Sequence, residues 1–411
     1  MNGFDPTLML LGNQIQYYDW GGLDAIGDFL GKTRKTDRSE AEMWMGAHPK
    51  APSWVAVEKQ PMPLPELIAD RPEAILGDEV AERFHSQLPF LMKLLVAARP
   101  LSIQAHPDAT QAQDGFRKEE ADGPDIDDER RNYKDSNHKP EVICALTDFW
   151  ALKGFRPVGE MLADFAGFSV IQPELDCLRN RAETGPKEFF QSLTRLNDPR
   201  RQELVGKLVS AMRSSPHSRD KDKHAYWIVK LGELHPGDIG IACALMLNLV
   251  HLKAEQALYV PAGELHAYLE GMGVELMATS DNVLRAGLTS KHVDIDELQK
   301  VLGSQSEKAE TIECEQRENG EVAYPSPAHE FELSLIRLNG SRPYVSGENR
   351  SVEILFVTEG SAQIAHAASG EMLSIPKGRS VLVPAAVDKY EIIGKKDAKT
   401  TIYKATVPRS R

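Results

Sequence analysis

The sequence predicts a mainly β protein interrupted by a helical insertion, and three observations carry that reading. Short β-rich runs broken by turns fill residues 1–150 and return towards the C-terminus. From 158 to 214 the apolar period becomes helical. Met161, Phe165 and Phe168 share a face, as do Phe189, Phe190, Leu193 and Leu196, and Leu204, Leu208 and Met212 repeat a spacing of four. Finally, residues 259–266 align without gaps onto 382–389, as in two copies of one β-barrel unit. The predicted organisation is a first β unit at 1–157 with 236–320, a helical insertion at 158–235, and a second β unit at 321–411. A chain of 411 residues is long enough for several domains.

Within the first unit, 65–69, 72–76 and 80–85 read as three short helices, the first opening on a proline. Residues 114–135 are polar and acidic with almost no apolar content, and are expected to form a surface loop, either solvated or a lid. β character is expected to resume after His235-Pro236-Gly237-Asp238. One further helix is expected at 294–302, where Asp294 and Glu297 have capping-box spacing. In the second copy of the repeat Lys389 stands where the first has His266, so that copy is expected to hold no metal.

The most informative segment is Leu101-Ser102-Ile103-Gln104-Ala105-His106-Pro107. On a strand Gln104 and His106 face the same way, and Pro107 ends the strand by removing a ladder donor. His138-Lys139-Pro140-Glu141 places a carboxylate at the mouth of the apolar run 142–146, and Pro261-Ala262-Gly263-Glu264-Leu265-His266 places a second imidazole after a turn. Gln104, His106, Glu141 and His266 make a mixed oxygen and nitrogen set suited to zinc or a similar divalent ion. With no thiolate, the set reads as catalytic rather than structural.

Composition narrows the partners. A formal net charge of −13 argues against a nucleic-acid backbone or an anionic membrane, though not against a small anionic substrate. Four scattered cysteines form no paired motif and read as reduced thiols, and the N-terminus has no export signal; a cytoplasmic protein is expected.

Trp20-Gly21, Ala41-Glu42-Met43-Trp44-Met45-Gly46-Ala47-His48-Pro49, the Gln104/His106 segment, Asn137-His138-Lys139-Pro140-Glu141, Gly263-Glu264-Leu265-His266-Ala267-Tyr268 and the run 275–291, which holds Ser280-Asp281-Asn282-Val283-Leu284-Arg285, together resemble the type I phosphomannose isomerases. The resemblance runs in order from about Asn13 to Asp296 and more loosely beyond. It implies a metal-binding cupin (jelly-roll-like) unit, a helical domain and a second, metal-free cupin-like unit. The chain departs from the general cupin pattern: Gln104 replaces the first histidine, the carboxylate lies far downstream, and Glu270 holds the second motif's terminal asparagine position.

The activity implied is the interconversion of mannose 6-phosphate and fructose 6-phosphate through an enediol or enediolate, with one zinc per chain at Gln104, His106, Glu141 and His266. Arg285 matches the family's active-site arginine and would face the developing oxyanion. His138 and Lys139 are preferred for proton transfer over Glu275, with Asp281 a further carboxylate before Arg285. Ser102, Lys93 and Lys291 are positioned for the substrate phosphate. His48 reads as structural, and Glu42, Trp44 and Trp20 as pocket walls or packing. Two other classes are weighed, an iron-dependent cupin dioxygenase and a non-catalytic sugar-binding regulator; the expected partner is a small phosphorylated sugar and the expected state a monomer.

Overall fold

The computed structural model describes residues 7–409 apart from 182, 341, 349, 396 and 397. Strand Phe90–Ala97 shows why the first unit forms as it does: all its residues are buried, so apart from Lys93 it reads as an apolar run rather than an alternation. It lies between Glu42–Gly46 and the long strand His266–Ala278, antiparallel to both. His266–Ala278 also pairs with Glu141–Ala145, Phe149–Phe155 and Ile103–Ala105, so one strand gathers the site's elements into a ten-stranded sheet. The second unit holds a seven-stranded and a four-stranded sheet, and among the described residues neither unit's ladder closes into a continuous barrel. No helix among the described residues is long and apolar enough to cross a membrane.

Two hydrophobic cores position the site. One joins the β units, with Met43, Phe90 and Val142 packed alongside Leu333, Phe356 and Tyr403. The other is helical: Met161, Phe165, Phe189, Phe190, Leu193, Leu204 and Leu208 pack with Ile103 and Ala105 of the site strand. Because side chains alternate along a strand, anchoring Ile103 and Ala105 in that core leaves Gln104 facing the other side.

Several local expectations are met: helices run over Leu64–Asp70, Pro72–Leu76, Asp78–Arg83 and Ile295–Val301, and the Asp294 side chain caps the last by accepting from the Glu297 N–H. Others are corrected. The acidic stretch begins inside a helix, Ala109–Asp122, started by a capping box between Asp108 and Gln111. Only Ala112 of that helix is buried, so it carries almost no apolar period and reads as loop. The irregular segment after it is pinned by Arg131, which donates to the carbonyls of Tyr133, Glu119 and Pro124 and pairs with Glu119. β structure does not resume directly after Asp238; Gly240–Met246 is a helix with all seven residues buried, and the next strand is Leu247–Leu252. A helix buried on every side has no amphipathic period, and its apolar run is indistinguishable from a core strand. Met9–Leu11, expected in the first unit, pairs with Ser380–Val383 of the second.

The repeat has a counterpart in strand register. Val260 pairs with Glu141, and Val383 with Glu353. Glu141 lies opposite Met277, two residues beyond Glu275; Glu353 lies opposite Thr406, two residues beyond Lys404. Glu275 faces Lys93 while Lys404 faces Ser334, and Glu42 and Glu321 occupy matching places on the next strands. A buried carboxylate–ammonium–carboxylate arrangement thus recurs, Glu42/Lys93/Glu275 in one unit and Glu321/Lys404/Glu353 in the other, with the lysine moved across one ladder. Glu353 stands at the place of Glu141, and Lys389, at that of His266, is exposed.

Candidate metal centre and active-site cavity

Gln104 is flanked in the sheet by His266 on one side and Arg285 on the other. Glu141 opens its strand directly after Pro140 and reaches both imidazoles: Oε1 lies 3.2 Å from His106 Nε2 and Oε2 lies 3.4 Å from His266 Nε2. Each histidine is oriented from behind by a backbone carbonyl. His106 Nδ1 is 2.7 Å from the oxygen of Asn282, and His266 Nδ1 is 3.1 Å from that of Glu264. A carbonyl can only accept, so both Nδ1 atoms carry the proton and both Nε2 lone pairs point inward. The Gln104 amide sits 3.4 Å from His266 Nε2, and a flip of that amide turns its oxygen to the same point.

Electrostatics favour a cation. Burial, reinforced by Lys139, lowers His106 to about 4, so the ring is neutral at working pH. Burial opposes charge on Glu141, but the Lys139 charge beside it outweighs burial and holds the carboxyl well below its usual range. His106 Nε2 is fully buried and makes no hydrogen bond. Two inward lone pairs beside one carboxylate, one of them otherwise unsatisfied, fit a divalent ion held by His106, Glu141 and His266 with Gln104 adjacent.

The set opens on a cavity of about 640 Å³. Arg285, Lys291 and Ser102 line it, and neither cation has an ion-pair partner among the described residues. Burial lowers the Lys291 ammonium, and the Arg285 charge adds to the effect, as expected where two cations face one space. Lys93 also lines the cavity, but its ammonium is neutralised by Glu275 at 2.7 Å and Glu42 at 3.5 Å and is not free for a phosphate. Asp281 is held by Lys50 at 2.9 Å and His48 at 3.5 Å, so His48, read as structural, lies at the cavity wall with Glu42, Trp44 and Trp20. Lys139 stands in the cavity 3.2 Å from Glu141 Oε1. His138 does not: it meets Glu330 of the second unit at 2.8 Å, away from the lining residues.

Residues 8–158 match the family model of the type I phosphomannose isomerase catalytic domain, and 175–247 match that of its helical insertion domain. The Escherichia coli mannose-6-phosphate isomerase is 35% identical over 378 residues, covering 91% of this chain and 94% of that protein. Mannose-6-phosphate isomerase 1 of Arabidopsis thaliana is 33% identical, covering 90% and 88%. The chain belongs to the type I phosphomannose isomerase family. A zinc-bound mannose 6-phosphate isomerase crystal structure superposes with a TM-score of 0.88 at 32% identity, over 98% of this chain and 100% of that one. The mainly β, cupin-like architecture with a helical region is therefore that of the phosphomannose isomerases.

Three contributors to this phosphomannose isomerase site escaped the sequence reading. Arg99, between the strand end and Pro100, lines the cavity without an ion-pair partner among the described residues. The Tyr268 hydroxyl donates to Glu141 Oε2 at 3.3 Å. It is next but one after His266, so the strand period that paired Gln104 with His106 could have found it. The carbonyls that orient the histidines carry no sequence signal, because every residue has one.

Proposed function

We propose that this chain interconverts mannose 6-phosphate and fructose 6-phosphate with one zinc ion per chain, acting as a monomer in the cytoplasm. The observation that carries the reading is the convergence of His106, Glu141 and His266 with Gln104 and Arg285 beside them, in a cavity whose Arg285 and Lys291, without ion-pair partners among the described residues, suit a phosphorylated sugar. Family membership favours this over the dioxygenase and sugar-sensor alternatives. When bound, zinc supplies Lewis acidity to the sugar carbonyl.

The chain's own groups do the rest. Lys291, Ser102 and Arg99 take the phosphate, whose binding energy orients carbons that it does not touch. Arg285, opposite Gln104, offers fixed N–H donors to the oxygen that becomes negative in the enediolate. Lys139, the one of the favoured pair that reaches the cavity, acts from its neutral amine form, taking the proton from C2 and returning it to C1. Glu275 is the second reading, since burial raises its carboxyl towards the range useful to a base.

One assay tests these roles: fructose 6-phosphate formation from mannose 6-phosphate in deuterated water, before and after chelation and zinc add-back. Activity lost to chelator and restored by zinc is expected, with Lys139→Met turning over and exchanging hydrogen at C2 far more slowly than Glu275→Gln. A zinc-loaded but inactive chain would end the isomerase reading; the reverse order of the two variants would move the proton to Glu275. Arg285→Lys is expected to lower kcat/KM by about 10²–10³ with little change in zinc content, because a point ammonium cannot reproduce the planar fork of donors. A loss below tenfold would remove Arg285 from the oxyanion role.

A further inference from the structure

We propose that Asn282 is a positioning residue that sets the metal ligands and the loop bearing Lys139 in register with each other; the inference rests on the isomerase reading above. The residues around it alternate: Asp281, Val283 and Arg285 line the cavity, while Asn282 is fully buried behind them. Its backbone carbonyl is the acceptor for His106 Nδ1 at 2.7 Å. Its side chain does something separate. Oδ1 accepts from the backbone N–H groups of Lys134 at 2.7 Å and Asp135 at 3.2 Å, and Nδ2 donates to the carbonyls of Asp135 at 2.8 Å and Asn137 at 2.9 Å.

This amide acts as a ladder partner for an irregular loop that has no strand beside it. Two residues beyond Asn137 the chain reaches Lys139, and two further on Glu141. The Asp135 carboxylate closes the link in the other direction, accepting from the Ser280 hydroxyl at 2.8 Å and the Asp281 N–H at 2.7 Å. One residue therefore fixes the ring of one ligand by its main chain and the approach to another ligand by its side chain. The position needs both a donor and an acceptor at amide spacing. Aspartate there loses the donors and sets a second carboxylate against Asp135, and alanine removes the partner of the Lys134 and Asp135 N–H groups and of the Asp135 carbonyl, leaving the Asn137 carbonyl only the Ser280 hydroxyl.

The test is zinc affinity, measured by competition with a chromogenic chelator, together with amide hydrogen exchange over 134–137. Asn282→Ala and Asn282→Asp are expected to bind zinc about 10–100-fold more weakly than the unaltered chain. Loop exchange should accelerate and KM for mannose 6-phosphate should rise in step, while far-ultraviolet circular dichroism is unchanged. Asp135→Asn, which keeps the shape and weakens the return link, is expected to move the same readouts in the same direction, and is read in their place should the Asn282 variants not fold. Folded variants with zinc affinity within twofold of the unaltered chain overturn the inference and leave the isomerase reading standing. An unaltered chain that binds no zinc overturns both.

Discussion

Glu141→Gln is expected to lower kcat/KM on mannose 6-phosphate by on the order of 10³ and to strip the zinc in moderate chelator. Glu141 is the one anion among the four residues gathered at the centre, since His106 is neutral and Gln104 cannot ionise. Replacing its carboxylate leaves a set with no anion to attract a cation, with Lys139 3.2 Å from the altered oxygen and no longer offset by it. Metal-assisted polarisation is worth several kcal/mol, and each 1.36 kcal/mol is tenfold in rate. Metal content and activity should fall together, with melting of the second β unit unaffected. Full zinc occupancy with activity within tenfold of the unaltered protein would mean that the ion is held elsewhere.

Lys404→Met is expected to destabilise the second β unit by about 3–5 kcal/mol, the usual cost of stranding buried carboxylates by removing their partner. Lys404 is nearly inaccessible, 2.8 Å from Glu321 and 3.5 Å from Glu353. Burial works against the Glu321 charge, yet Lys404 leads the groups that hold it down to about 2. Because that folded value lies below the unfolded one, the stabilisation is complete above about pH 4.5 and is lost as pH falls towards 2. The variant should therefore melt earlier at pH 7, and its deficit against the unaltered chain should shrink as pH falls below about 4.5, because the stranded carboxyls can then be protonated. Adding Glu321→Gln and Glu353→Gln to Lys404→Met should recover much of the loss, since neutral amides no longer need the ammonium. A loss below 1 kcal/mol in the single variant would show that Arg317 and Tyr344 at Glu321, and Arg350 and Tyr390 at Glu353, satisfy the carboxylates without it.

The centre itself was legible because it depends on short-range rules. Gln104 lies on the strand Ile103–Ala105 and His106 directly follows its end, Glu141 opens its strand after the proline before it, and His266 opens its own after a turn. The roles around it were less legible. His138 and Lys139 are adjacent and chemically alike as proton carriers, yet one turns to Glu330 and the other to the cavity. Lys93 has the same side chain as Lys291, but only its cross-strand neighbours reveal that its charge is already neutralised.

By itself the sequence determined the mainly β class, the helical stretch from Val158, the His106, Glu141 and His266 cluster and the family, all of which rest on local period, turn chemistry or motif order. Tertiary structure alone decided that Met9–Leu11 completes the second unit's sheet, that Gly240–Met246 is a helix, and that Asn282 ties the loop before Lys139 to the ring of His106. Each of these depends on which distant groups meet once water is excluded: strand partners hundreds of residues apart, a helix apolar on every face, and backbone hydrogen bonds to a side chain far along the chain. Local pattern sets the direction a side chain leaves the backbone, and only packing sets what it finds there.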